Sequence, residues 1–454
     1  MQQGTTTHPP HPDHHPDPQQ DQQPSTLTTT LLSGAIFFFL LYGYFLLRPL
    51  REAMGVQRSM SDLRTLFLIT CAASLIISLA FGSLVSRANP RRFITIGYRA
   101  VIACLLVFVL ALLTLPDDLK LYSGYVFYVW LSIVNLFMVS VFWGFMADTW
   151  SLELAKKLYP TIGVGGTLGA ILGSYTAWTT ADLIGPIWQM LAACLCFEGA
   201  IQTMRRVKQT TTQHQQPDRS PQNQPIGGTW HQGATTLLRS PYLLGIGLYI
   251  TLVAVSSTLI YFTQANIVSE AEEELTQRIA LFAQLDLYAQ IATLLVQLFV
   301  TAKLIKHLGI AFALSIIPII TLLGFIALAW VSDQPDIEPW QVFAVLAIFS
   351  AVHRATRYAI IRPARETLFS VVSRHEKYKS KPIIDVFLYR GGDVAGTGIE
   401  SALAGAAVGL WGMVMVAAPL AALWSGLAIA LGIMQHARNQ SVSPDTQPPQ
   451  EIPS

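Results

Sequence analysis

The sequence predicts an all-α membrane protein of twelve transmembrane helices in two six-helix bundles. Three observations predict it. Hydrophobic residues make up 52% of the 454-residue chain and charged residues only 12%, against about 25% charged in average globular chains. Mean hydropathy is +0.45. Twelve apolar stretches recur along the chain, and a long polar stretch separates six of them from the other six.

A bilayer span needs about 20 mostly apolar residues. The candidates run over roughly 30–54, 64–86, 92–115, 121–149, 160–180, 184–203, 240–264, 280–302, 309–331, 339–369, 383–406 and 409–434. Residues 1–28 are rich in Pro, Gln, His, Thr and Asp and contain no Lys or Arg, so they read as a disordered tail without a signal peptide. His8, His11, His14 and His15 in that tail could bind a metal only adventitiously. The units expected are the tail, a first bundle at 29–203, a linker at 204–237, a second bundle at 238–438 and a disordered tail at 439–454. The four cysteines all fall in apolar stretches, so packing is expected of them and not a disulfide framework or a metal site.

Orientation follows from the basic residues of short loops. With a cytoplasmic N-terminus, 17 of the 29 Lys and Arg residues fall on the inner side. Only Arg58, Arg64, Lys120 and Arg278 are then assigned outside, where the acidic loop residues gather. Both termini are therefore expected in the cytoplasm, and a bacterial chain would sit in the inner membrane. Six plus six spans with a cytoplasmic linker suit the major facilitator architecture, in which the first helix of each three-helix repeat lines a central cavity between the halves. Those helices are spans 1, 4, 7 and 10. A net charge of +2 gives no reason to expect a nucleic-acid partner.

Eight basic residues remain within the spans, and all are arginine: Arg48, Arg51, Arg99, Arg354, Arg357, Arg362, Arg365 and Arg390. An ionised side chain at mid-bilayer costs roughly 3 kcal/mol even on a lenient scale. Such groups must face protein or water and must be paired. Eight acids lie at similar depth: Glu52, Asp148, Glu198, Asp286, Glu366, Asp385, Asp393 and Glu400. At about 100° per residue, Arg354, Arg357, Arg362 and Arg365 form one stripe on span 10, within an arc of about 140°. A stripe of permanently charged guanidinium groups suits the grip of phosphate or carboxylate. The competing reading is a structural network in which the acids neutralise the arginines.

The chain also repeats itself. Residues 44–54 read YFLLRPLREAM and residues 358–368 read YAIIRPARETL. Both carry Arg-Pro, one residue, then Arg-Glu, on spans 1 and 10. A proline inside a helix removes a backbone hydrogen bond and kinks it, so Pro49 and Pro363 suggest bends beside the site, or ordinary packing kinks. Glycines 165, 169 and 173 recur every four residues inside span 5. With no preceding strand and no Gly-Lys-Ser/Thr, they read as a close-packing face and not as a phosphate loop. YRGGDVAGTGIES at 389–401 repeats the device on span 11. Asp286, on span 8, is a candidate proton-coupling or substrate acid, or else a polar residue near the outer surface. Asp148 is a candidate gating or proton-coupling group, or a plain helix-end residue. Trp143 and Phe145 could stack on a planar solute or simply pack.

On these residues the chain resembles the nucleotide exchange family, the plastid and rickettsial-type ADP,ATP carriers. The family's first-span pattern Tyr-x-x-Leu-Arg-x-x-Lys-Asp is similar to Tyr44 through Arg48 to Arg51-Glu52. Its late Asp-Pro-Thr-Lys-Glu resembles Arg362-Pro363-Ala364-Arg365-Glu366. Its Lys-x-Lys-Ala-Ala-x-Asp-Val and Arg-x-Gly-Lys-Ser-Gly resemble Lys379 to Val386 and Arg390 to Asp393. The departures are arginine for both signature lysines, Arg362 for the acid before proline, and Asp393 in a segment that lacks its lysine. The resemblance implies a carrier that exchanges nucleotides or related anions, as a divergent member.

The expected function is thus secondary transport of a small anionic solute by alternating access, in a monomer within the bilayer. Arg48, Arg51, Arg357, Arg362 and Arg365 are the expected anion ligands. Glu52, Glu366, Asp385, Arg390 and Asp393 are the expected ion-pair or gating groups. The competitors are a proton-coupled facilitator using Asp286 or Asp148, and a polytopic membrane enzyme or receptor. No metal triad, serine elbow or cysteine–histidine pair stands out, so neither catalysis nor a cofactor is expected.

Overall fold

The computed structural model describes residues 23–85, 90–212 and 230–442. The rest of the amino-terminal tail with its histidines, linker residues 213–229 and tail residues 443–454 lie outside the described residues. In chain order the helices are α1 (Gln23–Gly55), α2 (Met60–Val85), α3 (Pro90–Thr114), α4 (Asp117–Thr149), α5 (Leu152–Thr212), α6 (Trp230–Arg239), α7 (Pro241–Ala271), α8 (Leu275–Phe299), α9 (Thr301–Ser332) and α10 (Pro339–Ala355). A π-helical segment, Thr356–Ile361, carries α10 into α11 (Arg362–Leu368). After α12 (Arg374–Pro382), a second π-helical segment, Ile383–Leu388, carries the chain into α13 (Tyr389–Gly405) and then α14 (Gly409–Val442). The first turn and more of α1, and the last turn of α14, occupy residues expected to be tail.

Ten of these helical stretches are long and apolar enough to cross a bilayer. The remaining two spans are accounted for by particular residues. Inside α5, Gly185 takes φ 68° and ψ 177°, a conformation that costs a side-chain-bearing residue dearly. It divides α5 into two spans, and Pro186 opens the second, where its missing N–H costs nothing. The other is the π segment with α13, mostly apolar in sequence but with Asp385, Arg390, Asp393 and Glu400 too charged to count among those ten. Asp393 and Glu400 are nonetheless buried.

Helix approach is set by glycine, and the two bundles use it alike. On α5, a Cβ at Gly173 would stand 2.5 Å from the Tyr42 carbonyl oxygen, and Gly165 and Gly169 abut the backbone of Gly34 and Phe38. On α13, a Cβ at Gly392 would stand 2.6 Å from the Thr251 carbonyl oxygen, and Gly396 meets Thr258. Small residues let backbones touch where lipid supplies no hydrophobic drive. The fifth span therefore packs on the first, and the eleventh packs on the seventh.

Prolines inside spans free a carbonyl one turn earlier, and in hydrocarbon that group needs a partner. Pro363 has no N–H for the carbonyl of Ala359, and the Thr301 hydroxyl donates to it at 3.0 Å. Pro318 leaves the carbonyl of Leu314, which accepts from the Tyr249 hydroxyl at 2.8 Å. Both helices stay continuous because another helix supplies the missing donor.

Where the bundles meet is visible in the cores. One apolar core runs through the first bundle and on into the ends of α7 and α9 and the beginnings of α8, α10 and α14, including Ile260, Ile279, Phe325 and Leu346. A second core, around Tyr249, Ile317, Ile361 and Trp424, belongs to the second bundle alone, at the opposite end of the same helices. The bundles are thus fused at the end where α1 and α7 finish.

Candidate functional site

Seven residues before α1 ends, Arg48 projects beside Pro49 toward the second bundle. Its Nη1 donates to Oδ1 of Asp286 on α8, and its Nε lies 3.8 Å from Oε1 of Glu52. Arg354 on α10 donates to the same Oδ1 of Asp286 at 2.6 Å. Guanidinium groups from the two bundles therefore converge on one carboxylate oxygen. Asp286 lies eleven residues into α8 and is buried, about 16 Å below its start at 1.5 Å per residue. It is not a surface group.

Arg51 extends this cluster within the first bundle. It pairs with Glu52, donates to the Ser132 hydroxyl at 2.8 Å, and lies 5.0 Å from the ring centre of Tyr128. Glu52 accepts from the hydroxyl of Tyr261 on α7 at 2.8 Å, and Tyr261 and Tyr128 share a 2.6 Å hydrogen bond. Those two bonds again cross between bundles. Nearer the helix ends, Arg64 of α2 grips Glu400 of α13, and Arg278 of α8 donates to the Val56 carbonyl at 3.0 Å. The basic-loop rule assigns both arginines to loops, but each sits in the first turns of a helix, where it bridges the halves.

Arg357 and Tyr358 lie on the first π-helical segment. Arg357 donates to the Ser257 hydroxyl at 2.8 Å and to the Tyr389 hydroxyl, and its guanidinium faces the rings of Tyr358 and Tyr389 at 5.2 and 5.5 Å. Tyr358 is 44% exposed and sits in the field of Arg357, Arg354, Arg48 and Arg362. Arg362, one turn further on, is exposed, and no described carboxylate lies within ion-pair distance of it. Around Tyr358 and Glu52 lie five guanidinium groups: Arg48, Arg51 and Arg354 share the carboxylates of Glu52 and Asp286 at ion-pair distance, whereas Arg357 and Arg362 have no described carboxylate that close, and Asp393 and Asp385 act on them only from further off. Positive charge is in excess.

Arg365 is elsewhere. It pairs with Asp385 at 2.9 Å and Glu366 at 2.8 Å, while Lys381 holds the other oxygen of Glu366 at 2.6 Å. This second cluster lies eleven residues along from Arg354, about 16 Å, and its four groups all belong to the second bundle. Of the second Arg-Pro signature the structure therefore turns Arg362 toward the first, while Arg365 and Glu366 stay in a separate cluster. Spans 1 and 10 run antiparallel, and each signature sits near the end of its span. The stripe expected on span 10 serves two separate clusters: Arg354 pairs with Asp286, Arg365 pairs with Asp385 and Glu366, and the π-helical segment lies between them.

The remaining candidates fall into place individually. Arg390 pairs with Asp393 at 2.9 Å, and the Thr258 hydroxyl donates to Asp393 at 3.1 Å. Asp148 is exposed at the end of α4. Trp143 packs edge-on against Phe37 and Phe142, and Phe145 is buried, so neither faces a solute. Arg354 was visible in the stripe, but its role rests on Asp286, 68 residues away. Tyr358 heads the repeated stretch at 358–368, as Tyr44 heads the one at 44–54, whereas Tyr128 and Tyr261 carried no sequence signal that separates them from packing tyrosines. A groove of about 550 Å³ between the starts of α1 and α5 is lined by residues such as Gly34, Phe38 and Pro160 and by no charged group, so it does not suit an anion.

Comparison with known proteins bears on the fold and on the family. Among solved structures, a point mutant of the nucleoside transporter NupG aligns with a TM-score of 0.55 at 12% identity, covering 91% of this chain and 99% of that one. A bacterial homologue of the human lysosomal transporter Spinster, in an inward-facing and unoccupied conformation, aligns at 0.52 and 12% identity, covering 93% and 96%. At such identity these likenesses speak for the fold, which is that of the major facilitators. By sequence, ADP,ATP carrier protein 1 of Chlamydia trachomatis serovar D is 22% identical over 338 residues, 67% of this chain and 61% of the relative. The Chlamydia muridarum protein of the same name is 22% identical over 337 residues, with the same coverage. The chain thus spans about three-fifths of the length of these relatives. The TLC ATP/ADP transporter family model matches residues 119–424, from α4 into α14, well over half of the chain. On that match, the protein belongs to the TLC ATP/ADP transporter family.

Proposed function

We infer that the chain is a secondary carrier that exchanges a nucleotide or a related phosphorylated anion by alternating access. The observation that carries this reading is the excess of guanidinium groups between the bundles. A buried cation without a counter-charge is expensive, and an anionic solute supplies the missing charge. Arginine's planar fork suits the oxygens of a phosphoryl group, and its charge is permanent. Tyr358, exposed among four arginines, offers a ring face and a hydroxyl to the same solute. Family membership supports the same substrate class, since the relatives are named ADP,ATP carriers.

Residues 29–203 rock against 238–438. The described polar bridges join the bundles at the end where α1 finishes, so this conformation is closed there and its access lies at the other end. With the amino-terminus in the cytoplasm, as the basic loops favour, access is from the cytoplasm and both termini are inside. Arg48, Arg51, Arg354, Arg357 and Arg362 hold the anion. Arg365, Asp385 and Glu366 form an ion-pair cluster at the accessible end. Arg390 and Asp393 brace the eleventh span.

The test is uptake of labelled solute into proteoliposomes preloaded with nucleotides and organic phosphates. Counter-solute should be required, and Arg354→Ala should abolish uptake while the protein still inserts. Uptake by the wild type driven by a pH gradient alone, with no counter-solute, would instead favour a proton-coupled facilitator. The buried, half-satisfied carboxyl of Asp286 is the group that favours this second reading.

A further inference from the structure

Asp286 stands where the two bundles meet. Its Oδ1 accepts Nη1 of Arg48 from the first bundle and Nη1 of Arg354 from the second. Its Oδ2 is buried and has no hydrogen-bond partner. One carboxylate oxygen ties the bundles together while its twin goes unserved.

We propose that Asp286 is a built-in substitute for the anionic group of the solute, and that it latches the empty carrier shut at this end until a phosphoryl or carboxylate group takes both guanidiniums from it. The proposal rests on the anionic-solute reading above and deepens it, because it makes exchange a property of one side chain.

Two guanidinium groups aimed at one point repel unless an anion lies between them. In the empty protein Asp286 is that anion. Opening this end draws Arg48 away with the first bundle, while Asp286 and Arg354 stay with the second. Arg48 would then keep only Glu52, at 3.8 Å, in a setting from which most water is excluded. The empty carrier is held in place by that loss, and it cannot reorient freely. A phosphoryl group changes the balance. It presents three oxygens and can serve both guanidiniums through separate atoms, whereas Asp286 serves both through one and leaves the other buried and unpaired, itself a cost. The solute therefore displaces Asp286, and the bundles part with each arginine still compensated. Return requires another anion, so transport is coupled exchange.

The substitution that tests this is Asp286→Asn, which keeps the shape and removes the charge. Two readouts are needed. The first is net efflux of labelled solute from proteoliposomes into solute-free buffer, alongside the half-saturating concentration for exchange. Efflux should rise by about tenfold or more, and half-saturation should fall by about tenfold, the scale of one charge-assisted hydrogen bond. Asp286→Glu should restore tight coupling. The second readout uses no solute. Cys71, eleven residues into α2, is 2% exposed and lies between the bundles, beside Arg390 and Asp393 of α13. With Cys104, Cys194 and Cys196 replaced, a membrane-impermeant maleimide should leave Cys71 unlabelled in the empty protein and label it in Asp286→Asn. Unchanged labelling in the variant overturns the latch, as does loss of exchange with net efflux still absent. If labelling changes but the wild type exchanges no anion, the latch stands and the solute reading falls.

Discussion

Arg64 and Glu400, 336 residues apart, form a two-pronged pair: Nε to Oε2 at 2.6 Å and Nη2 to Oε1 at 2.9 Å. The pair joins α2 to α13 and so joins the two bundles at their fused end. Glu400 is only 7% exposed. Removing Arg64 strands a buried carboxylate, at a cost of about 3 kcal/mol or more. Arg64→Ala should lower the Tm in detergent, and the double variant Arg64→Ala/Glu400→Gln should recover part of the loss. Equal melting of both variants with the wild type would show that this contact does not hold the end closed.

Neighbouring glycines on α13 make a controlled comparison. A Cβ at Gly392 meets the Thr251 backbone at 2.6 Å, while one at Gly391 meets nothing within 4 Å. Gly392→Ala should destabilise by about 1–3 kcal/mol through overpacking. Gly391→Ala should be neutral or slightly stabilising. Thermal unfolding of the two purified variants distinguishes them.

The hydroxyl of Thr301 substitutes for the N–H that Pro363 lacks, at the carbonyl of Ala359. Thr301→Val should cost about 1–3 kcal/mol, the penalty of an unserved buried carbonyl. In a Pro363→Ala background the backbone supplies an N–H again, so the same substitution should cost much less. A double-mutant cycle read by unfolding free energy checks the coupling; simple additivity would sever the link between the two residues.

Arg362 and Arg390 should respond differently to alanine. Arg362 is exposed and has no described ion-pair partner, whereas Arg390 holds buried Asp393 at 2.9 Å. Arg362→Ala should keep its Tm and raise the half-saturating solute concentration about tenfold, the loss of one charged hydrogen bond to solute. Arg390→Ala should lose stability first. Uptake kinetics and thermal scans of the two variants separate ligand from brace.

Much of the architecture could be read from residues in order. A bilayer imposes a one-dimensional rule, about 20 apolar residues per crossing, and that rule found spans 5 and 6 inside one long α5 and the charged eleventh span. The glycine repeat at 165, 169 and 173 named a packing face because the periodicity of a helix is local. The arginines at depth were conspicuous because each is costly in hydrocarbon. What the linear order could not supply was partnership. Arg48 meets Asp286 across 238 residues, and nothing local to either announces the other.

The chain order alone told which residues lie in the membrane, how many times it crosses, and that positive charge is buried there, because hydrophobic thickness, helical period and the cost of ionisation act on short stretches. Only the folded arrangement decided which arginines share a site. Arg354 joins Arg48 at Asp286, while Arg365, eleven residues along the same span, pairs with Asp385 and Glu366 instead. Those outcomes depend on how distant helices pack, and packing is a relation between surfaces that no short stretch contains.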